Sequence, residues 1–308
     1  MTEFLQLLVA GLAIGAQYAL IVLGFVVIYK ATGVINFAQG GMVLIGAYLT
    51  YNAAITWDLP FYVSIVVAMI GGALVGVLIE FLILRRMVGQ PVFAVIMITI
   101  GLFIISQEVA TSIWGASSQN LGDPWGQKAW HAGDVIIEVK DVATVVMAAI
   151  VLGAFFIVFR YTKIGIAMRA TAVDQEAALA QGISARRVFA VSWGIAGAVA
   201  AVAGVSAAAG PATGLHPGLG AIALIAFPAM ILGGLDSPGG AVVGGLIIGV
   251  TQSLAQGWRT GVLNFSWLPD YPELLGDGFD DVIPYLVMVL ILMVRPFGLF
   301  GTREVRRV

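Results

Sequence analysis

The sequence contains no cysteine and only two histidines, His131 and His216. The absence of cysteine excludes disulfides, thiolate metal sites and cysteine nucleophiles. The two histidines lie far apart and lack the H-x-x-x-H spacing of a metal site, so we expect no bound metal and no cofactor. Charged residues make up only 10% of the chain and the net charge is −2, which leaves no basic footprint for nucleic acid.

Apolar residues are abundant instead. They make up 60% of the 308 residues, whereas an ordinary soluble domain has roughly 45–50%. A helix crosses the hydrocarbon layer with about 20 apolar residues. The composition therefore predicts an all-α, polytopic integral membrane protein that forms a single transmembrane domain over residues 1–308.

Apolar runs long enough to span a membrane indicate about eight to nine helices. They cover residues 4–29, 37–53, 61–84, 92–113, 142–159, 188–210, 219–235, 241–258 and 282–294. Four prolines interrupt the region 211–240, so a broken or re-entrant helix and a clean span both remain possible there. The longest connections are predicted at 160–187 on one side, and at about 114–141 and 259–281 on the other.

Basic residues are confined almost entirely to one alternating set of loops. All but three of the 15 Lys and Arg residues fall in that set, and the exceptions are Lys128, Lys140 and Arg259. Because short basic loops stay in the cytoplasm, that side is predicted to be cytoplasmic. With nine spans the C-terminus is then cytoplasmic, and the two loops at about 114–141 and 259–281 are external.

The connection 160–187 carries the signals of a short helix. Asp174 is a suitable N-cap, Glu176 follows in the first turn, and Gly182 can adopt the left-handed conformation after the last turn. These features predict a helix of about two turns, which either decorates the surface or docks in a groove of a soluble partner. The chain has no G-x-x-x-x-G-K-[ST] phosphate loop, so nucleotide chemistry would require another subunit.

Uncharged polar residues lie within or beside the first two predicted spans. Gln17 and Tyr18 fall inside the first, and Asn36 and Gln39 lie at the start of the second. They either bond across helices or line a translocation pathway of weak hydrogen-bonding groups. Glu80 precedes Arg85 by about one turn, which favours an ion pair over a role in the pathway.

Several segments resemble one family from end to end. They are Ala16-Gln17-Tyr18-Ala19-Leu20, Gly33-Val34-Ile35-Asn36-Phe37-Ala38-Gln39-Gly40, Gly165-Ile166-Ala167-Met168-Arg169-Ala170, Gly182-Ile183 and Leu232-Gly233-Gly234-Leu235-Asp236-Ser237-Pro238-Gly239-Gly240-Ala241. Together with Asp174 and Glu176 they look like the LivH-type permease subunit of branched-chain amino acid ABC importers. Gln39 departs from many relatives, which carry His there.

The resemblance implies a function and a set of partners. A permease of this kind is not an enzyme; it moves branched-chain or other hydrophobic amino acids into the cytoplasm by alternating access, as a multi-pass protein of the plasma (inner) membrane. It works within the lipid bilayer with a second homologous permease, two cytoplasmic ABC ATPases and an external substrate-binding protein. Urea or a short amide remains an alternative cargo. An autonomous channel or ion-driven carrier remains an alternative function.

The resemblance also suggests functional residues. The ATPase-contacting loop of the family matches the segment that contains Gly165, Arg169, Asp174, Glu176, Gly182 and Arg186. The candidate translocation pathway comprises Gln17, Tyr18, Asn36 and Gln39.

Overall fold

A computed structural model describes residues 2–125, 128–132, 135–209, 214–263 and 278–302. Its helices are α1 Thr2–Thr32, α2 Gln39–Tyr51, α3 Phe61–Leu82, α4 Val92–Trp114, α5 Val139–Tyr161, α6 Lys163–Val173, α7 Gln175–Ala180, α8 Ala185–Ala208, α9 Ile222–Ile225, α10 Phe227–Gly233, α11 Pro238–Arg259 and α12 Phe279–Val294. The connection between α4 and α5 contains a feature that the sequence did not predict, an antiparallel hairpin of β1 Ala129–Ala132 and β2 Val135–Glu138.

The predicted all-α membrane fold is confirmed. Over the described ranges, six helices are long and apolar enough to cross a membrane: α1, α3, α4, α5, α8 and α11. The remaining apolar runs form shorter elements. The α2 helix continues through the π-helical turn Asn52–Thr56, α12 has 16 residues, and Pro217–Gly233 is a broken apolar segment.

The segment Pro217–Gly233 consists of three short helical pieces. A 3-10 turn, Pro217–Ala221, leads into α9 and α10, and Pro228 lies at the start of α10. The segment begins beside Leu215, which pairs with Gln119, and ends where Leu299 and Phe300 donate to the carbonyls of Leu232 and Gly233. The segment is therefore an interrupted helix, and whether it crosses the membrane stays a prediction. Pro211 lies outside the described residues.

The bundle has two chemically distinct ends. We call the end that carries Lys30, Arg85 and Arg160 the basic end, and the end that carries Asp141 and Asp280 the acidic end. At each end, residues from distant parts of the chain line a common cavity. Within the described ranges, successive spans run alternately between the two ends when Pro217–Gly233 counts as one crossing, so α1 begins at the acidic end and α12 finishes at the basic end.

Glycines bring α1 and α11 into backbone contact. A Cβ built on Gly245 would lie 2.6 Å from the Ala19 nitrogen, and one built on Gly11 would lie 2.7 Å from the Val250 Cα. Gly249 packs in the same way on Gly15. Close approach of this kind stabilises helix pairs in lipid, where the hydrophobic effect does not drive association.

A second close pair is formed by α3 and α8. A Cβ on Gly72 would lie 2.5 Å from the Gly197 oxygen, and Gly76 packs on the Trp193 carbonyl one turn further along. The α2 helix packs against α8 through Gly46 and Gly204. These contacts leave no room for any side chain larger than hydrogen, so they set how closely the helices approach each other.

Candidate functional site

The coupling segment, residues 160–187, lies at the basic end and forms two helices rather than one. The α6 helix follows α5 almost directly, and the Thr162 side chain caps it by accepting a hydrogen bond from the Gly165 nitrogen at 3.2 Å. The sequence predicted only the second helix, α7. Thr162 was the missed signal, because threonine is a favoured N-cap.

The α7 helix has the predicted caps. The Asp174 carboxylate accepts a hydrogen bond from the Ala177 nitrogen at 2.9 Å, and Gly182 has a φ of +81° just after the helix. Glu176 lies in the first turn, where a negative charge is favourable beside the unpaired N–H groups. Local chemistry alone therefore accounts for where α7 begins and ends.

The outer face of α7 combines charge with exposed apolar side chains. Asp174 and Glu176 are exposed, and beside them Val173 and Leu179 are 89% and 54% exposed. Ala178 faces inward and is buried. We call Val173, Asp174, Glu176 and Leu179 the α7 surface.

Gly165 and Arg169 lie beneath this surface. Gly165 packs directly on the Phe159 carbonyl of α5. The Arg169 guanidinium donates hydrogen bonds to the carbonyls of Phe159 and Arg160, and its carbon lies 5.3 Å from the centre of the Phe159 ring. Both residues therefore attach α6 to the end of α5, and their participation in an ATPase interface stays a prediction.

The remaining predicted interface residues lie at the start of α8. Arg186 and Gly182 are exposed, and Ser184 occupies the N-cap position of α8 without a side-chain capping bond. The six residues therefore form two groups. Four are exposed: Asp174, Glu176, Gly182 and Arg186. The other two, Gly165 and Arg169, attach α6 to the end of α5.

Two of the candidate pathway residues lie near the acidic end. Gln17 and Tyr18 line a cavity of about 320 Å³, which we call the acidic cavity, between α1, α5, α8, α11 and α12. The Tyr18 hydroxyl donates to the Gln252 side-chain oxygen, and the Gln252 nitrogen donates to Asp281 at 2.8 Å. Gln252 was missed by the sequence reasoning, although a glutamine inside an apolar helix was the available signal.

The other two lie toward the basic end. Asn36 is 1% exposed, its oxygen accepts a hydrogen bond from the Ala38 nitrogen at 3.0 Å, and it lines a cavity of about 230 Å³ that we call the basic cavity. Gln39 is fully buried against Gly24 of α1. Within the described part of the chain, neither the Asn36 nitrogen nor either polar atom of the Gln39 amide has a hydrogen-bond partner.

The structure does not bring these four residues into one site. Thr32, at the end of α1, lines the basic cavity with Asn36, and Gln17 precedes it by about 15 residues, or about 22 Å at the helical rise. Gln39 packs on Gly24, about halfway between these two levels, so the four residues are spread along the bundle. Buried amides without partners are costly, so Asn36 and Gln39 are unusual for a purely structural core.

The comparison with protein families gives one match across the chain. The sequence profile of the family described as "Branched-chain amino acid transport system / permease component" matches residues 7–292. The chain belongs to this family. Membership and the apolar helices together make it a multi-pass membrane protein, and its relatives are transport permease subunits.

Individual relatives of this permease extend over the same length. The "High-affinity branched-chain amino acid transport system permease protein LivH" of Escherichia coli (strain K12) is 30% identical over 320 residues, covering 99% of this chain and 98% of the relative. The BraD permease protein of Pseudomonas aeruginosa, described in the same words, is 28% identical over 324 residues with the same coverage. A probable LivH of Methanocaldococcus jannaschii is 28% identical and covers 92% of this permease and 88% of its own length.

Among solved structures, "PsaBC from Streptococcus pneumoniae in complex with Fab" aligns with a TM-score of 0.39 at 15% identity. The alignment covers 95% of this permease and 89% of that chain.

Proposed function

We propose that this permease imports branched-chain or other hydrophobic amino acids by alternating access, driven by ATPases that dock on the α7 surface. The observation that carries the proposal is the accessible α7 itself, which is capped at both ends and is joined to the membrane helices α5, through α6, and α8, directly. A helix that is short, rigid and attached to spans can transmit a partner's motion to the bundle.

The expected partners are two cytoplasmic ATPases, a second homologous permease and an external substrate-binding protein. The family of ABC importer permeases implies such partners in general. In this proposal ATP hydrolysis by those partners supplies the energy, and the sequence of this chain has no phosphate-binding loop of its own.

In this proposal the permease lies in the plasma (inner) membrane. Its basic end and its C-terminus face the cytoplasm. Lys30, Arg85, Arg160 and Arg187 support this orientation through the retention of basic loops in the cytoplasm. The α7 surface then lies where cytoplasmic ATPases can reach it.

The pathway passes Gln17 and Tyr18 near the acidic end, and Asn36 and Gln39 toward the basic end. Amide and phenol groups suit this task, since they form hydrogen bonds with a zwitterion without holding it as strongly as a charged residue would. The acidic cavity also carries Lys140, Asp141 and Asp281, which can meet the charged ends of an amino acid on its way in.

Reconstitution tests the proposal. The permease is purified with whatever copurifies from its host in mild detergent, inserted into vesicles with ATP inside, and supplied with labelled leucine and the binding protein outside. ATP-dependent uptake that valine and isoleucine compete with, and urea does not, is the expected result. Competition by urea or a short amide would shift the cargo to that class, and uptake by the permease alone without ATP would overturn the proposal.

A further inference from the structure

The basic cavity combines one buried acid with several amides and an apolar wall. Glu80 of α3 is almost fully buried and lines the cavity with Asn36 and Gln175. Aliphatic and aromatic side chains close the other side: Ile28, Leu84, Val95, Phe189 and Trp193. The volume of about 230 Å³ suits a small metabolite, since sites for drug-sized ligands hold about 300–1,000 Å³.

The Glu80 carboxylate keeps capacity for a ligand. Arg85 donates to both of its oxygens, through Nε at 3.2 Å and a terminal nitrogen at 2.8 Å. Each carboxylate oxygen has a second lone pair, so an ammonium group can bind to Glu80 while the ion pair with Arg85 stays intact. The pair also explains how the charge is tolerated at this depth.

The Asn36 side-chain nitrogen supplies a hydrogen-bond donor for the acceptor group of a ligand. Its two hydrogens have no acceptor in the described ranges, and the residue is buried in the cavity wall. An unpaired buried donor is unfavourable and becomes favourable when an acceptor such as a carboxylate enters. Gln175 and Gln90 offer further amides at the rim.

We propose that the basic cavity is a binding site for a free aliphatic α-amino acid. The ammonium group of the ligand lies at Glu80, its carboxylate at Asn36, and its side chain against the wall around Val95. The cavity has its mouth at the basic end, where Val88, Gly89 and Gln90 are exposed. The ligand therefore enters from the basic end without crossing the bundle.

A regulatory consequence follows from Gln175, the first residue of α7. An amino acid in the cavity contacts the start of α7 and restrains its movement against α3 and α8. This step rests on the proposed function: accumulated amino acid on the ATPase side slows further import, because it binds where the driving helix must move.

The binding test uses the purified permease and labelled L-leucine, with no transport step. We expect saturable binding that weakens by about tenfold or more for leucinamide, which lacks the carboxylate, and for 4-methylpentanoate, which lacks the ammonium group, because each loses a charge-assisted hydrogen bond. Val95→Phe fills the cavity and should abolish binding. Met97→Phe is the matched control, because Met97 lies on the same helix and is 43% exposed, and this variant should bind leucine normally.

If Val95→Phe does not fold, Val92→Phe at the exposed rim of the cavity replaces it. Absence of leucine binding, equal binding of either analogue, or normal binding by the cavity-filling variant would each overturn the site. Equal binding of the analogues would instead indicate an apolar occupant such as a lipid chain.

The regulatory step is tested in vesicles that import leucine with ATP. Leucine preloaded on the ATPase side should slow initial uptake several-fold, whereas preloaded leucinamide or 4-methylpentanoate should not. Equal rates with all three would overturn the regulation. Absence of ATP-driven uptake from every vesicle would overturn the proposed function instead, and the binding measurement on the isolated permease would still decide the site.

Discussion

Asn36 and Gln175 line the same cavity at the basic end of the bundle. Asn36 lies in the link between α1 and α2, and Gln175 is the first residue of α7 on the exposed coupling segment. The cavity therefore connects the surface that a partner would move with the buried amides at the start of α2. Displacement of α7 changes the surroundings of Asn36 directly, without passing through the whole bundle.

The charges of the α7 surface are expected to matter for coupling to ATP hydrolysis. Asp174→Asn combined with Glu176→Gln removes both charges and keeps an N-cap acceptor, since asparagine caps as well as aspartate does. We expect transport-coupled ATP hydrolysis to fall several-fold, with normal membrane insertion. Asp174→Ala alone serves as the comparison, because it loses the cap at a cost of about 1 kcal/mol. Full coupling in the double variant would contradict the assignment of this surface.

The orientation can be read from single cysteines, because the natural chain contains none. Val173→Cys, at a site that is 89% exposed at the basic end, should react with a membrane-impermeant maleimide only in inside-out vesicles. Trp130→Cys, in the hairpin of the opposite loop, should react only in right-side-out vesicles. The reverse pattern of labelling would place the basic end outside the cell.

The contact between α1 and α11 should tolerate no added methyl group. Gly249→Ala forces a Cβ into the Gly15 backbone, and overpacking of this kind costs about 1–3 kcal/mol. We expect a lower Tm and a lower yield in detergent. Gly153→Ala is the matched control, since a Cβ there meets no described atom within 4 Å. An unchanged Tm for Gly249→Ala would show that the two helices separate more easily than their contact suggests.

Hydrogen bonding in the acidic cavity separates structural from transport roles. Tyr18→Phe removes the bond to Gln252, and such interhelical bonds contribute about 0.6 kcal/mol on average, so we expect a small fall in Tm.

Gln17→Leu should slow leucine uptake several-fold, because it replaces a hydrogen-bonding group of the proposed pathway with an aliphatic one. Uptake at the normal rate in Gln17→Leu would remove that residue from the pathway.

The sequence could predict features that depend on local chemistry. The ends of α7 follow from Asp174 and Gly182, whose roles require only neighbouring residues. The apolar runs likewise follow from the thickness of the bilayer. The broken form of Pro217–Gly233 was one of two expectations, and its prolines could not decide alone, because neighbouring helices often compensate for a proline inside a membrane helix.

Features that depend on long-range pairing could not be predicted. The glycines of α1 and α11 signal close packing, but nothing in their spacing says that Gly15 meets Gly249 rather than Gly72. Arg169 was predicted only as part of the ATPase-contacting loop, and its partners are carbonyls at the end of the preceding helix. The separation of Gln17 from Asn36 depends on the path of α1 through the bundle, which single residues do not reveal.

The pairing of α1 with α11 has a mechanical consequence. The two helices are joined near the acidic end by the Ser253 hydroxyl, which donates to the Leu7 carbonyl, and along their length by Gly15 and Gly249. At the basic end, Lys30 of α1 donates at 2.9 Å to the carbonyl of Asp236, which lies two residues before α11. Joined in this way, α1 and α11 should tilt as one unit. A displacement at Lys30 would then reach Leu7, which lies 23 residues and about 35 Å away along α1.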